Sequence, residues 1–309
     1  MTQEEIDIIY MRRCLQLAMN GLGRVCPNPL VGCVIVKDGQ IVSEGYHQEY
    51  GHNHAERNAL LREGDFRGAT LYVSLEPCSH YGKTPPCADL VVEKGIGRVV
   101  CCNDDPNPLV SGRGFEKLQK AGIAVTSHVL EREGRELNRR FFTFMEKQRP
   151  YIILKWAESS DGFMAPESKG RYWISNQRQT IISHRMRTQE AAILVGSQTY
   201  LDDQPQLTAR LYGGDNPLPI VLDRRGRLHD VPEHWLHLRC QTLAEVMRLL
   251  FERKIQSLIV EGGRKVLDAF IAEGLYDEVV VFKGKQSLGA GLEAPALPPL
   301  PEGRLSIIC

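Results

Sequence analysis

What this sequence of 309 residues lacks narrows its possible roles first. It has no excess charge of either sign, because Lys plus Arg and Asp plus Glu both total 38. With no global positive field and no run of basic residues, nothing draws in a nucleic acid, and a small charged substrate is the expected partner. No apolar run approaches the ~20 residues that span a bilayer, so no membrane partner is expected. The start, Met1-Thr-Gln-Glu-Glu-Ile, is acidic and has neither the basic opening nor the apolar stretch of a secretory signal, which sets the expectation of a cytoplasmic protein. No G-x-G-x-x-G occurs, so a Rossmann dinucleotide site is not supported. The two halves show no internal repeat.

What is present suits an ordinary globular chain with two cores, hydrophobic residues making up 42% and charged residues 25%. Nine cysteines, an odd number scattered along the chain, fit reduced thiols and metal ligation better than a disulfide framework. Cys33, Cys101 and Cys102 lie inside apolar runs and are expected in the core.

Thr2 with Glu5 makes a capping box for an opening helix, whose inward stripe is read as Ile6, Ile9, Leu17 and Ala18. Residues 30–36 and 40–46 read as a hairpin, since Asp38-Gly39 supplies the positive φ angles of a tight turn. A helix follows over about residues 54–63, then a strand at 70–74, a helix from Cys87, and a strand at 98–102. A helix at 115–120 and a strand at 123–125 come next. The alternation predicts helices packed on a central sheet. A charged helical stretch runs over 131–147, and Arg149-Pro150 marks a boundary between domains at 1–148 and 149–309. Strands at 151–154, 192–195, 220–222, 258–260 and 278–282 repeat the α/β pattern in the second half. The Pro-rich end is irregular until 305–308.

The strongest signal is His54-Ala-Glu56, then Glu76-Pro-Cys78, then Cys87. One imidazole and two thiolates, with a spare carboxylate, is the donor set of a catalytic zinc, which keeps an open position for water. Each group is read at a helix start, where the helix dipole favours the thiolates of Cys78 and Cys87. Glu56 lies too near His54 along the chain to be needed as a ligand and suits proton transfer. The pattern is that of zinc nucleobase deaminases. A structural zinc would need a fourth ligand, for which His80 is the candidate. A nucleic-acid-editing deaminase would show much the same core.

Between Cys78 and Cys87 stands Ser-His-Tyr-Gly-Lys-Thr-Pro-Pro, longer than the usual two-residue spacer. With Pro27-Asn-Pro-Leu-Val-Gly-Cys, Gly45-Tyr-His and Asp105-Pro-Asn-Pro-Leu-Val-Ser-Gly-Arg-Gly, the sequence resembles the bifunctional deaminase/reductase family of riboflavin biosynthesis. The resemblance implies a cytidine-deaminase-like three-layer α/β/α domain followed by a dihydrofolate-reductase-like α/β domain. It implies deamination of 2,5-diamino-6-(5-phosphoribosylamino)pyrimidin-4-one with zinc, then NADPH-dependent reduction of the ribosyl group to ribityl, by a homo-oligomer. By matching motifs, His54, Cys78 and Cys87 are the metal ligands and Glu56 the proton shuttle. Asn28, His47, His80 and Lys83 fall in substrate-facing motifs, where Lys83 and His80 offer donors to a phosphate and Asn28 offers a paired donor and acceptor.

In the second half, Lys155-Trp-Ala-Glu-Ser-Ser-Asp161-Gly162, Val195-Gly-Ser-Gln-Thr199 and Val260-Glu261-Gly-Gly263 resemble the family's reductase. The resemblance places NADPH contacts at Ala157, Trp173, Thr199, Asp203 and Gly263, and substrate contacts at Arg187, Leu207, Arg210 and Glu261. Arg187 and Arg210 are read as phosphate holders, because a guanidinium fork matches phosphate oxygens. Two departures leave open a deaminase with a degenerate reductase half. Arg171 stands where the family has a small hydroxyl residue, and the stretches from Asp223 to Glu261 and after Glu278 are short.

Overall fold

The computed structural model describes residues 1–81, 85–107, 112–167, 172–300 and 304–309. The chain divides into two compact units, Met1–Lys147 and Gln148–Cys309.

The first unit runs α1 (Gln3–Ala18), β1 (Gly32–Lys37), β2 (Gln40–Tyr46), α2 (Ala55–Leu60), β3 (Thr70–Val73), α3 (Cys87–Glu93), β4 (Arg98–Cys101), α4 (Arg113–Lys120), β5 (Ala124–Thr126), α5 (Glu131–Leu137) and α6 (Arg139–Lys147). Its sheet has the order β2-β1-β3-β4-β5. β1 is antiparallel to both β2 and β3, whereas β3, β4 and β5 are mutually parallel. Asp38 and Gly39 form the turn with φ of 52° and 75°, as the Asp-Gly signal predicts.

The period of two along β1 explains the three layers. Cys33 and Ile35 pack with Ala55, Ala59 and Leu60 of α2, Ala88, Leu90 and Val91 of α3 and Leu118 of α4. Val34 and Val36 face the other way, onto Met11, Cys14 and Leu17 of α1. A strand buried on both faces must read as an unbroken apolar run, which Gly32–Val36 does. Cys33, Cys101 and Cys102 are fully buried, as expected.

α1 carries the capping box of Thr2 and Glu5, but its inward stripe differs from the one read in the sequence. Ile9 is 48% exposed, and the buried face is Asp7, Met11, Cys14, Leu17 and Ala18. Asp7 is tolerated inside because Arg98 donates to both of its oxygens at 2.8 and 2.6 Å and the Tyr72 hydroxyl donates at 2.8 Å. A charge amid an apolar stripe hides the stripe, since its partner on β4 lies 91 residues away.

The second unit contains β6 (Tyr151–Glu158), β7 (Phe163–Pro166), α7 (Gln177–Gln189), β8 (Ala192–Gly196), α8 (Ser197–Asp203), β9 (Leu218–Leu222), β10 (Leu236–Leu238), α9 (Leu243–Glu252), β11 (Ser257–Gly262), α10 (Arg264–Ala272), β12 (Glu278–Lys283), β13 (Gly291–Glu293) and β14 (Leu305–Ile308). Seven parallel strands are ordered β10-β9-β8-β11-β6-β12-β14, with β13 and β7 forming a separate ribbon. Ile152, Leu154 and Trp156 of β6 join the core under α9 and α10, while Tyr151 and Ile153 pack toward Ile182 and Met186 of α7. The short stretch between Asp223 and Glu261 still supplies β10 and α9.

The chain leaves β8 toward β9 on one side, and leaves β11 toward β12 on the other. A crevice therefore opens outside the carboxyl ends of β8 and β11, which is where parallel α/β sheets take their ligands. No helix among the described residues is long and apolar enough to cross a membrane.

Candidate active sites

In the first unit, His54 caps the start of α2, so the adjacent helical turn holds both His54 and Glu56. Cys87 is the first residue of α3. Cys78, read in the sequence at a helix start, instead lies in the irregular segment after β3. The helix effect reaches it nonetheless, because the Cys87 N–H at the start of α3 donates to Cys78 Sγ at 3.3 Å.

His54 Nδ1 stands 3.5 Å from Cys78 Sγ and 3.4 Å from Cys87 Sγ, and the three atoms all lie within 4.8 Å of one another. A tetrahedral zinc with ordinary Zn–N and Zn–S bonds has N···S edges of ~3.6 Å, so the donor set and its spacing fit that ion. No fourth His, Cys, Asp or Glu joins them among the described residues. His80 is exposed on the loop beyond Cys78, and Lys83 lies outside the described residues.

The Cys78 thiol is pulled well below the ordinary thiol range because the Cys87 thiol donates to it, with His54 and the Cys87 N–H adding to the effect. Glu56 is 3% exposed. Burial pushes its carboxyl up to about 7, against the opposing pull of His54. A group in that range both accepts and returns a proton near neutrality.

Two of the other residues singled out in the sequence meet directly. Buried His47 makes one contact through Nδ1 to the Asn53 carbonyl at 3.0 Å and one through Nε2 to Asn28 Nδ2 at 3.1 Å. Only an N–H can serve the carbonyl, so the proton sits on Nδ1 and Nε2 accepts from the Asn28 amide. Burial lowers the basicity of His47, in keeping with this neutral form. The Asn28 side chain is thereby fixed in one orientation. The ring of His47 stands edge-on to His54, 5.5 Å between centroids.

In the second unit, residues far apart in sequence converge. Glu261 at the end of β11 receives Lys155 Nζ from β6 at 3.3 Å and Arg187 Nη2 from α7 at 2.9 Å. Burial alone would raise the carboxyl of Glu261, but the charges and hydrogen bonds of Lys155 and Arg187 outweigh it and hold it at about 2. Arg187 also donates to the Thr208 carbonyl at 3.0 Å. Its two terminal nitrogens are thus held by protein groups, while its buried Nε has no partner among the described residues. Arg210 is exposed and reaches the Thr208 hydroxyl at 3.3 Å.

Trp173, Asp203 and Arg210, with Asp202, Gln204 and Gln206, line one cleft of about 470 Å³. Thr199 Oγ1 accepts from the Gly263 N–H at 2.8 Å, joining two of the expected cofactor positions. Ala157 sits near the carboxyl end of β6. Leu207 has φ of 52°, and its side chain packs in the core with Ile193, Val221 and Trp235, so only its backbone can face a ligand. Arg171 lies outside the described residues.

Thr208 was missed in the sequence, and Asp161 entered only as part of the motif Lys155–Gly162, with no role of its own. The Asp161 carboxylate accepts from the hydroxyls of Ser159 and Ser287 and the N–H groups of Leu288 and Gly289, and these hydrogen bonds hold it well below the usual carboxylate range. No local pattern announces a partner that far along the chain.

The fold and the two sites define a zinc-dependent hydrolase unit joined in one chain to an oxidoreductase unit. Residues 4–103 match the cytidine and deoxycytidylate deaminase zinc-binding region, and residues 150–302 match the RibD C-terminal domain. The riboflavin biosynthesis protein RibD of Aquifex aeolicus is 41% identical, over 93% of this chain and 89% of its own length. That of Escherichia coli is 39% identical, over 92% and 89%. A crystal structure of a diaminohydroxyphosphoribosylaminopyrimidine deaminase/5-amino-6-(5-phosphoribosylamino)uracil reductase from Thermotoga maritima is similar, with a TM-score of 0.88, 39% identity, and coverage of 96% of this chain and 94% of that one. Acinetobacter baumannii RibD matches with a TM-score of 0.89 at 35% identity, over 94% and 90%. The chain belongs to the RibD family. It is a bifunctional deaminase and reductase of riboflavin biosynthesis, with zinc and NADPH as its cofactors.

Proposed function

We propose that the first unit deaminates 2,5-diamino-6-(5-phosphoribosylamino)pyrimidin-4-one, with His54, Cys78 and Cys87 holding zinc and Glu56 moving the proton. The observation that carries this reading is a set of three ligand atoms within 4.8 Å of one another, with a buried carboxylate beside them that is not among the ligands. When bound, zinc makes hydroxide available near neutral pH. Glu56 takes a proton from water and delivers it to the departing amine, so that ammonia leaves and the ring carbon keeps the oxygen. Asn28, oriented by His47, reads the pyrimidine edge, and His80 and Lys83 serve the phosphate.

In the second unit, Ala157, Trp173, Thr199, Asp203 and Gly263 hold NADPH, which supplies the hydride that turns ribosyl to ribityl. Arg210 in the open cleft and Arg187 are the phosphate holders, with Leu207 contributing its backbone. Arg187 also fixes Glu261, which faces the ribosyl chain. The grouping of Trp173, Asp203 and Arg210 around one cleft supports this arrangement. On the family resemblance we also propose a homo-oligomer, and a cytoplasmic location in keeping with nine free thiols.

Metal analysis tests the zinc site. The parent should carry about one zinc per chain, and Cys78→Ser should lose it together with deamination. A parent free of zinc yet fully active would overturn the assignment.

A further inference from the structure

The motif Asp105-Pro-Asn-Pro-Leu-Val-Ser-Gly-Arg-Gly114 has no role in the chemistry described so far. Its flanks emerge from the carboxyl end of β4, and Cys78 follows the carboxyl end of β3. The two strands are parallel neighbours, so both loops border the same ligand-binding edge. One side chain ties them together. Glu76 is 3% exposed. Its Oε2 accepts from the N–H groups of Asp105 at 3.4 Å and Gly112 at 3.0 Å, and its Oε1 accepts from the N–H of Gly114 at 2.9 Å.

Gly112 is the N-cap of α4 and has no capping side chain of its own. Glu76 does that work from a different loop, placing a carboxylate against the positive end of an eight-residue helix. Gly114 allows the approach. A Cβ there would lie 2.1 Å from the Pro77 carbonyl oxygen, between Glu76 and the ligand Cys78. A buried carboxylate with no cation among its partners in the described residues is retained where its N–H donors replace water. Among the described residues the donors are the Asp105 and Gly112 N–H groups of the segment after β4 and the Gly114 N–H in the first turn of α4.

We propose that Glu76 is a positioning residue of the deaminase, fixing the flanks Asp105–Asn107 and Gly112–Gly114 against Cys78 and so setting the affinity for the phosphorylated pyrimidine. This rests on the deaminase reading given above. Among the described residues Glu76 makes no hydrogen bond to the zinc ligands' donor atoms or to Glu56, so its effect falls on substrate binding rather than on proton transfer.

Glu76→Gln replaces one accepting oxygen with an NH2 group that opposes an N–H on one side of the staple. Gly114→Ala disturbs the same contact from the loop side while leaving Glu76 in place. In each purified variant, zinc content, NADPH oxidation on the ribosylaminouracil phosphate, and the deaminase KM and kcat are measured. Both variants should keep zinc and reduction, with KM for the diaminopyrimidine ribotide raised about tenfold and kcat changed less than about threefold. A KM equal to the parent's in both variants overturns the proposal. So does loss of zinc or of kcat with KM unmoved, or failure of both variants to fold, each of which makes Glu76 a structural residue only. A parent protein that does not deaminate the ribotide defeats the deaminase reading itself, and is told apart because it precedes any comparison of variants.

Discussion

The two units build their sites in opposite ways. In the first, three donor atoms come from positions no more than 33 residues apart, and each is a residue type that zinc requires. In the second, Lys155 and Glu261 meet across 106 residues, with Arg187 arriving from a third element. A metal imposes ligand chemistry and short spacing, whereas a parallel sheet gathers its groups at strand ends regardless of their distance along the chain. The first kind of site is written locally and the second only by topology.

The largest expected effect separates the two chemistries. Glu56→Gln should keep about one zinc per chain and unaltered NADPH oxidation, while deamination falls by about 10³, since an amide cannot shuttle protons. Near-parent deamination in that variant would move the proton transfer to another group and blur the contrast between the units.

Next in size is the second unit's buried triad. Glu261→Gln leaves Lys155 and Arg187 as uncompensated buried charges and should destabilise this unit by about 3 kcal/mol. All three tryptophans, Trp156, Trp173 and Trp235, lie in this unit, so denaturation followed by tryptophan fluorescence reads it alone. Reduction should fall in the same variant with deamination intact. An unchanged melting profile would mean that the triad's charges contribute nothing net.

The same triad predicts a pH response. The folded carboxyl of Glu261 stands at about 2, below the ordinary value of ~4.3, so ionised Glu261 contributes stability that is full above the ordinary value. That contribution is lost as pH falls from about 4.3 toward 2, where the folded group takes up its proton. Tryptophan-detected stability should decline over this window in the parent and decline less in Glu261→Gln. Equal slopes would contradict the assignment.

The smallest effect tests the independence of the units. Thr2→Ala removes the α1 cap and should cost about 1 kcal/mol in the first unit, seen by amide exchange along Gln3–Ala18 and absent from tryptophan fluorescence.

The same contrast accounts for what could be read from the amino acids. Capping at Thr2, the turn at Asp38-Gly39 and the burial of Cys33, Cys101 and Cys102 follow from local rules, and the structure holds all three. α7 was not foreseen, because its buried residues are Gln179, Ser183 and His184 and no apolar stripe marks it. β7, which ends in Pro166, and β10 and β13, each with a polar residue among its three, were not foreseen either. Among site residues, the metal triad and Glu56 were legible by type and spacing. The commitment of Arg187 to Glu261 was not, nor was the capping of α4 by Glu76, since each depends on a partner that only the fold supplies.

The central claim is that one chain carries two successive chemistries, and product masses test it most directly. The purified protein is given 2,5-diamino-6-(5-phosphoribosylamino)pyrimidin-4-one with and without NADPH. Without NADPH, the product should show exchange of the amino group for oxygen and nothing further; with NADPH, it should gain two hydrogens more. Recovery of unaltered substrate, or of the deaminated product unchanged in the presence of NADPH, would contradict the account.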